Sequence, residues 1–375
     1  MYKKSSDDNS VVYLLFFSIF SFLFIPKHLF SMASEEILRS DILSITYNFI
    51  LVFSLWIFLF FDKKCSYILS VTLFICLSIA ILGGSTFSYT LINILFCSLL
   101  MSKIEKKYIY PVLLFNMTLW LSIYLLVTDS FSDLYTCKSI DGSYCYPTLG
   151  LKNPNSTAFI LASYYYVLIG FIYNNISKNL TIIVIPFGCL IFYYLLSYFG
   201  SRTQSYLIIL SFFLFFLLLM SAKFRLIVRW CVPYSIMFIS LTVYLCIKIY
   251  DSGIFDLTIM NVFFSGRLYF LNFALNDISY LNFMFGGDPT KYLPLDNFTI
   301  YSIIHGGVLS LLFFVFISLK SKYFIKNIDI WSLVVIICSV LNSISESYSY
   351  VPFYNLGIMF IFSASISHFL TEKHD

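Results

Sequence analysis

Twelve apolar runs, each too long for the core of a soluble domain, dominate this chain. They lie at 11–30, 42–61, 66–83, 86–101, 109–127, 156–174, 180–198, 204–221, 229–249, 298–318, 330–345 and 353–370. A membrane helix needs about 20 mostly apolar residues, with roughly 17–25 usable. The runs at 86–101 and 330–345 are short by that measure. Strands of an outer-membrane barrel would instead be about 10 residues long and alternate in polarity.

Composition removes the alternatives. Length alone favours about two or three soluble domains, but only 11% of the 375 residues are charged and 60% are hydrophobic. A soluble domain carries roughly 25% charged residues, so this chain cannot coat a water-facing globule. Its wealth of aromatic and β-branched residues excludes disorder. With 14 Gly and 9 scattered Cys it is neither collagen-like nor a disulfide scaffold. The small net charge of +4 gives no nucleic-acid footprint. The expectation is an all-α polytopic transmembrane bundle of about 12 spans, residues 1–375 forming a single integral membrane domain.

Lys and Arg in short loops set the orientation. With the N terminus inside, the inner segments hold Lys3, Lys4, Lys63, Lys64, Lys103, Lys106, Lys107, Lys178, Lys223, Arg225, Arg229, Lys320, Lys322, Lys326 and Lys373, which is 15 of the 23 basic residues. Both termini are therefore expected in the cytoplasm. Lys3–Lys4, the apolar Val11–Ile25 and Ser31-Met32-Ala33 also fit a signal peptide. An uncleaved first helix is the plainer reading, and the later alternation holds either way.

The exterior material is concentrated in two long loops, 128–155 and 250–297. The first holds Cys137 and Cys145, spaced to close a small disulfide loop in an oxidising compartment or to remain free. The second is interrupted by Gly253, Gly266, Gly286, Gly287, Pro289 and Pro294. Between these breakers, Gly266–Asn276 reads as a partly buried helix at the outer interface, capped by Ser265. Inner segments are too short for a domain and hold no Walker-type nucleotide loop, so chemistry is expected at the outer face without direct use of ATP.

Few polar residues stand near these spans. Arg202, in Gly200-Ser201-Arg202-Thr203-Gln204, lies on the side that disfavours bases, and Arg267 begins the greasy segment of the second loop. Two guanidinium forks at an outer interface suit a diphosphate, or each snorkels to headgroups. Asp296-Asn297 directly precedes a span, where a carboxylate is favoured by the helix N-terminus, as cap or as chemistry. Glu346, after the run at 330–345, is placed to accept a proton, to hydrogen-bond a sugar or to mark a helix end. The other exterior acids, Glu35, Glu36, Asp41, Asp129, Asp133, Asp141, Asp251, Asp256, Asp277 and Asp288, read mostly as solvated loop charges, and His305 as a packed, hydrogen-bonded residue. No His pair, Asp-x-Asp or Gly-x-Ser-x-Gly supports a metal, a cofactor or an acyl-serine mechanism.

Four stretches resemble the O-antigen polymerase (Wzy-type) family, which is related to the O-antigen ligases. They are Asn153-Pro154-Asn155 opening the sixth span, Ser201-Arg202, Ser265-Gly266-Arg267, and Asp296-Asn297 followed ten residues later by Gly307. Their order, the span count and the late long loop match as well. Ligases typically show His-Asn where this chain has Asp296-Asn297, which favours the polymerase.

The resemblance implies glycosyl transfer between undecaprenyl-diphosphate-linked glycans at the outer face of a bacterial inner membrane, for O-antigen or a similar surface polysaccharide of the lipopolysaccharide type. Both long loops are then periplasmic. Arg202 and Arg267 bind diphosphate, Asp296 or Glu346 orients or deprotonates the attacking hydroxyl, and Asn155 and Asn297 touch substrate. Hydrophobic walls take the polyprenyl tails, and a chain-length regulator is a possible partner. A lipid-linked oligosaccharide flippase or other secondary transporter is the alternative from another class, with the ligase as a third reading.

Overall fold

The computed structural model describes residues 7–33, 40–61, 63–127, 135–137, 145–151, 153–252, 267–292, 297–346 and 351–371. All twelve apolar runs are helical. In chain order the helices are α1 (Asp7–Ser31), α2 (Ser40–Phe61), α3 (Lys63–Gly83), α4 (Phe87–Lys103), α5 (Lys106–Val127), α6 (Pro154–Phe171), α7 (Lys178–Tyr198), α8 (Arg202–Met220), α9 (Ala222–Cys231) and α10 (Ser235–Asp251). There follow α11 (Arg267–Asp277), α12 (Tyr280–Phe285), α13 (Phe298–Lys320), α14 (Ile330–Ser345) and α15 (Leu356–Thr371). One two-stranded ladder, β1 (Tyr135–Cys137) and β2 (Cys145–Pro147), lies in the first long loop.

Among the described residues, eight helical stretches have the length and apolarity to cross a membrane, and shorter apolar stretches accompany them in α3, α4, α14 and α15. The twelfth run, a helix of 16 residues, joins the two that are short in the sequence, whereas the third lies within the 21-residue α3. The ninth run is also redrawn. Arg229 belongs to α9, and a 3-10 turn at Val232–Tyr234 precedes α10, because Pro233 lacks the N–H an unbroken helix requires.

Much apolar surface faces outward. Along α2, Ile45, Phe49, Val52, Trp56 and Phe60 are all exposed at helical spacing. A stripe of that size would drive a water-borne monomer to aggregate; hydrocarbon is its natural solvent. The chain is a multi-pass helical membrane protein.

The helices fall into two compact units, with the chain passing from one to the other inside α2, α4 and α14 and at the connections before α9 and before α14. The first comprises Met1–Phe58, Leu100–Met220 and Ile330–Val335. Within lipid, apolar burial drives helix association weakly, so close packing and polar links matter more. Gly170 of α6 lies against the ring of Tyr110, where any side chain would collide. Asn116 of α5 donates to Ser21 Oγ of α1 at 2.8 Å. Trp331, wholly buried, packs among Tyr165 and Phe215 and donates its indole N–H to the Tyr166 carbonyl at 2.9 Å.

The second unit comprises Leu59–Leu99, Ser221–Asp329 and Ile336–Asp375, with α13 packed against α3, α10, α12 and α15. Its core joins Val243 and Ile247 of α10, Leu268, Leu271 and Ala274 of α11, and Ile300, Ile303 and Ile304 of α13. The second long loop thus carries a helix where the sequence places one. It is half-buried, with Tyr269, Phe270 and Phe273 exposed on the other side.

Candidate functional site

The polar residues of the second unit gather along the first half of α13. Asn297 is its N-cap, accepting from Thr299 N at 2.9 Å and Ile300 N at 3.1 Å. Its Nδ2 donates to the Ile344 carbonyl at 2.5 Å, one of the carbonyls that the end of a helix leaves without an intrahelical donor. One buried amide therefore caps the start of α13 and the end of α14 together. Aspartate lacks the donor for the second bond, so this position needs both halves of the amide. Two residues beyond Ile344 comes Glu346, its side chain buried and its N–H bonded to the Asn342 carbonyl at 2.9 Å. Asn297 and Glu346 are thus brought to one place. Asp296 lies outside the described residues.

Two turns further along, α13 breaks. Gly307 has φ 73° and ψ 167°, a conformation closed to residues with a side chain. A break inside a span frees backbone groups that hydrocarbon cannot satisfy, and it survives only where protein supplies partners. Here the loop after α12 and the connection between α3 and α4 do so. Gly287 N donates to the Ile304 carbonyl at 2.9 Å, and Ser85 Oγ donates to the His305 carbonyl. Gly83, Gly286 and Gly307 pack backbone against backbone: a side chain on Gly83 would strike the Phe285 and Gly286 carbonyls, and one on Gly307 the Met284 carbonyl.

The imidazole of His305 occupies this junction. Its Nδ1 lies 3.0 Å from Tyr301 Oη, its Nε2 lies 3.2 Å from Thr86 Oγ1, and its ring packs on Phe87. Asp288 sits close enough for electrostatic interaction with His305. Its carboxyl is held below the usual range chiefly by the Thr290 N–H and hydroxyl, and further by the neighbouring imidazole. A hydroxyl–imidazole–hydroxyl chain can pass a proton between its ends by exchanging tautomers, with no net charge left in the membrane. His305 is packed and hydrogen-bonded, as the sequence indicates, while its coupling to Asp288 is not evident there. The legible signal is a Gly-Gly pair, Gly306-Gly307, in the middle of an apolar span, matched by Gly286-Gly287 in the preceding loop.

The two arginines are each the first residue of a helix: Arg202 opens α8, exposed, and Arg267 opens α11. The Arg202 turn is fixed by Gly200, with φ 72°, whose missing side chain makes room for the Tyr146 ring of β2. Asn155 follows Pro154 at the start of α6, half-buried, its N–H bonded to the capping Asn153 Oδ1 at 2.9 Å. Asn155 and Arg202 belong to the first unit, and Asn297, Glu346 and Arg267 to the second. The first unit also contains an apolar groove of about 610 Å³ between α1, α2 and α5, walled by Ile19, Phe22, Leu23, Val112 and Phe115 with Asn116 among its lining residues. Among the described residues no three His, Cys, Asp or Glu side chains are placed to share a metal ion.

No family model, curated protein or solved structure matches this chain.

Proposed function

We propose that this protein polymerises undecaprenyl-diphosphate-linked oligosaccharide repeat units into a surface polysaccharide, as a metal-independent glycosyltransferase at the outer face of a bacterial inner membrane. In each cycle an acceptor hydroxyl oxygen bonds to the donor's anomeric carbon, the bond from that carbon to the diphosphate oxygen breaks, the hydroxyl proton is lost, and undecaprenyl diphosphate departs.

The observation that carries this reading is the position of Arg202 and Arg267 as first residues of helices. A cation at a helix N-terminus works against the macrodipole. It becomes favourable once an anion sits there, because a helix N-terminus offers free backbone N–H groups and arginine adds a bidentate fork for phosphate oxygens. Diphosphate is a good leaving group, so stabilising its charge takes precedence over a strong general acid. Glu346 is the described carboxylate for orienting the acceptor hydroxyl, Asp296 the second candidate, and Asn155 and Asn297 hold sugar or phosphate oxygens. The groove between α1, α2 and α5 suits a polyprenyl tail. In this reading both termini are cytoplasmic, the loops at 128–155 and 250–297 are periplasmic, and a chain-length regulator acts beside the enzyme.

The test is to supply reconstituted protein with a purified lipid-linked repeat unit and resolve the products by size. A ladder of longer glycans with release of undecaprenyl diphosphate is expected; unchanged substrate would defeat the proposal. The interruption of α13 favours one competing reading, the flippase, because discontinuous helices mark the binding sites of many transporters. That reading requires the intact lipid-linked glycan to cross the bilayer of a proteoliposome without elongation.

A further inference from the structure

We propose that α9 and the turns following α13 form a binding site for anionic phospholipid headgroups. The ten residues of α9 carry Phe224, Ile227, Val228 and Cys231 at the i, i+3, i+4, i+7 spacing of a single apolar stripe, with Arg225 and Arg229 one turn apart on another face. Nothing in α9 is buried, and Leu226, Ile227 and Trp230 are largely exposed. Phe224 and Val228 are half-buried, so it is the outward part of the apolar surface, Ile227 with Leu226 and Trp230, that needs another apolar medium. α10 starts four residues later, after the Val232–Tyr234 turn, and α9 is the first part of the apolar stretch Ala222–Asp251 that is long enough to cross a membrane, which puts α9 at the end of that stretch, by the bilayer boundary. A short amphipathic helix there lies in the interface plane, apolar face toward the acyl chains.

Charge selects the lipid. Arg229 donates to the Ile328 carbonyl at 2.7 Å, which ties α9 to the 3-10 turns Ser321–Tyr323 and Ile325–Asn327 after α13. The joined segments 221–231 and 320–329 hold Lys223, Arg225, Arg229, Lys320, Lys322 and Lys326 against one acid, Asp329. Lys223, Lys322 and Lys326 are exposed. Six cations beside a lipid-facing stripe complement a phosphate-bearing headgroup of net negative charge, whereas a zwitterionic headgroup brings its own cation. The site is independent of the glycosyl-transfer reading and needs only the membrane.

The experiment uses full-length protein in nanodiscs of mixed phosphatidylglycerol and phosphatidylcholine, measuring lipid retention after detergent extraction and the midpoint of thermal unfolding. Wild type should retain phosphatidylglycerol preferentially and gain thermal stability from it. K223Q/R225Q/K322Q/K326Q should lose that preference roughly tenfold or more, with unchanged unfolding in pure phosphatidylcholine; Arg229 is kept because it ties the two segments. If the quadruple variant misfolds, K322Q/K326Q, confined to exposed side chains on the turns, should still lose a severalfold share. Equal retention of both lipids by wild type, wild-type preference in folded variants, or the full stability gain from inorganic phosphate alone would each overturn the proposal.

Discussion

A side chain at Gly286 would run into the backbone carbonyl of His305, so the loop after α12 reaches the break in α13 only because residue 286 is glycine. The backbone there has φ 85°, closed to other residues at low cost. Gly286→Ala therefore combines left-handed strain with a backbone collision and should cost about 1–3 kcal/mol or more. Gly84 is the control, since its φ is 63° but a side chain there meets open space. Gly84→Ala carries strain alone, about 1–2 kcal/mol. Thermal unfolding in detergent compares them, and equal midpoints would mean that the junction of α12 with α13 does not hold the unit together.

That junction also marks the boundary of what the sequence discloses. Length and apolarity identify the twelve apolar runs as helical, because a membrane leaves the backbone few alternatives to a helix. The helix at Gly266–Asn276 is legible from its breaker-free run and appears as Arg267–Asp277. The β1–β2 ladder is not legible, since three-residue strands carry too little alternation to read. The separation of α9 from α10 is signalled by Pro233 inside an apolar window, yet composition averages over it. Among site residues, the sequence reads the Asp296 carboxylate as the cap, whereas Asn297 fills that role, and its second bond, to the end of α14, joins positions 47 apart in sequence. The approach of the Gly286-Gly287 loop to His305 depends on the same tertiary closeness, set by glycines whose spacing is visible but whose meeting is not.

Under the proposed reaction, Arg202→Ala and Arg267→Ala should each reduce chain elongation strongly, about 10²-fold, as loss of a preorganised charge at a leaving group does. Arg202→Lys should recover only part, because a point charge replaces a bidentate fork. Initial rates of glycan elongation at matched protein abundance measure this. Full-length polysaccharide at normal rate from either alanine variant would leave the arginines as headgroup anchors.

Asn297 separates capping from bridging. Asn297→Ser keeps a capping oxygen for α13 but cannot reach Ile344; Asn297→Ala loses both functions. The alanine variant should fall below the serine variant by about 1 kcal/mol, the usual worth of an N-cap. Both should fall below wild type by a further ~1–3 kcal/mol for the orphaned carbonyl. Unfolding midpoints decide, and identical serine and alanine variants would contradict the cap. Asp296→Asn, tested beside them for elongation, isolates the neighbouring carboxylate.

Asp277 accepts from Lys291 Nζ at 2.5 Å and from Tyr292 Oη at 2.8 Å, and these two bonds hold its carboxyl below the usual range. A carboxyl whose folded pKa lies below its unfolded value contributes its stabilisation above the unfolded value, about 3.9. That contribution disappears as pH falls through the folded value. Asp288, lowered by Thr290, titrates in the same direction within the same segment. Protease cleavage within 278–292 should stay flat from neutral pH down to about 5 and rise below about 4. Asp277→Asn should raise cleavage already at neutral pH and leave a smaller acid-dependent step. A rise on going to alkaline pH would have the wrong sign for these carboxylates.

Cys137 and Cys145 are direct partners in the β1–β2 ladder. Residues opposite one another in antiparallel strands stand about 4.5–5.5 Å apart at Cα, inside the roughly 4.4–6.8 Å that a disulfide spans. The eight-residue spacing that leaves the bond open in the sequence thus becomes a register in which the two residues are direct partners. The consequence extends to Arg202, because Tyr146, adjacent to Cys145, packs its ring on Gly200 in the turn that starts α8. A closed loop of this length restricts the unfolded hairpin by about 2–3 kcal/mol, holding Tyr146 in place. In protein recovered from membranes without reductant, residues 137 and 145 should resist alkylation as a pair and react after reduction. Cys137→Ser/Cys145→Ser should loosen the Gly200–Arg202 turn, visible as faster hydrogen exchange at the start of α8. Free alkylation of both thiols before reduction would leave the ladder unbridged, and the turn would then depend on the Tyr146–Gly200 contact alone.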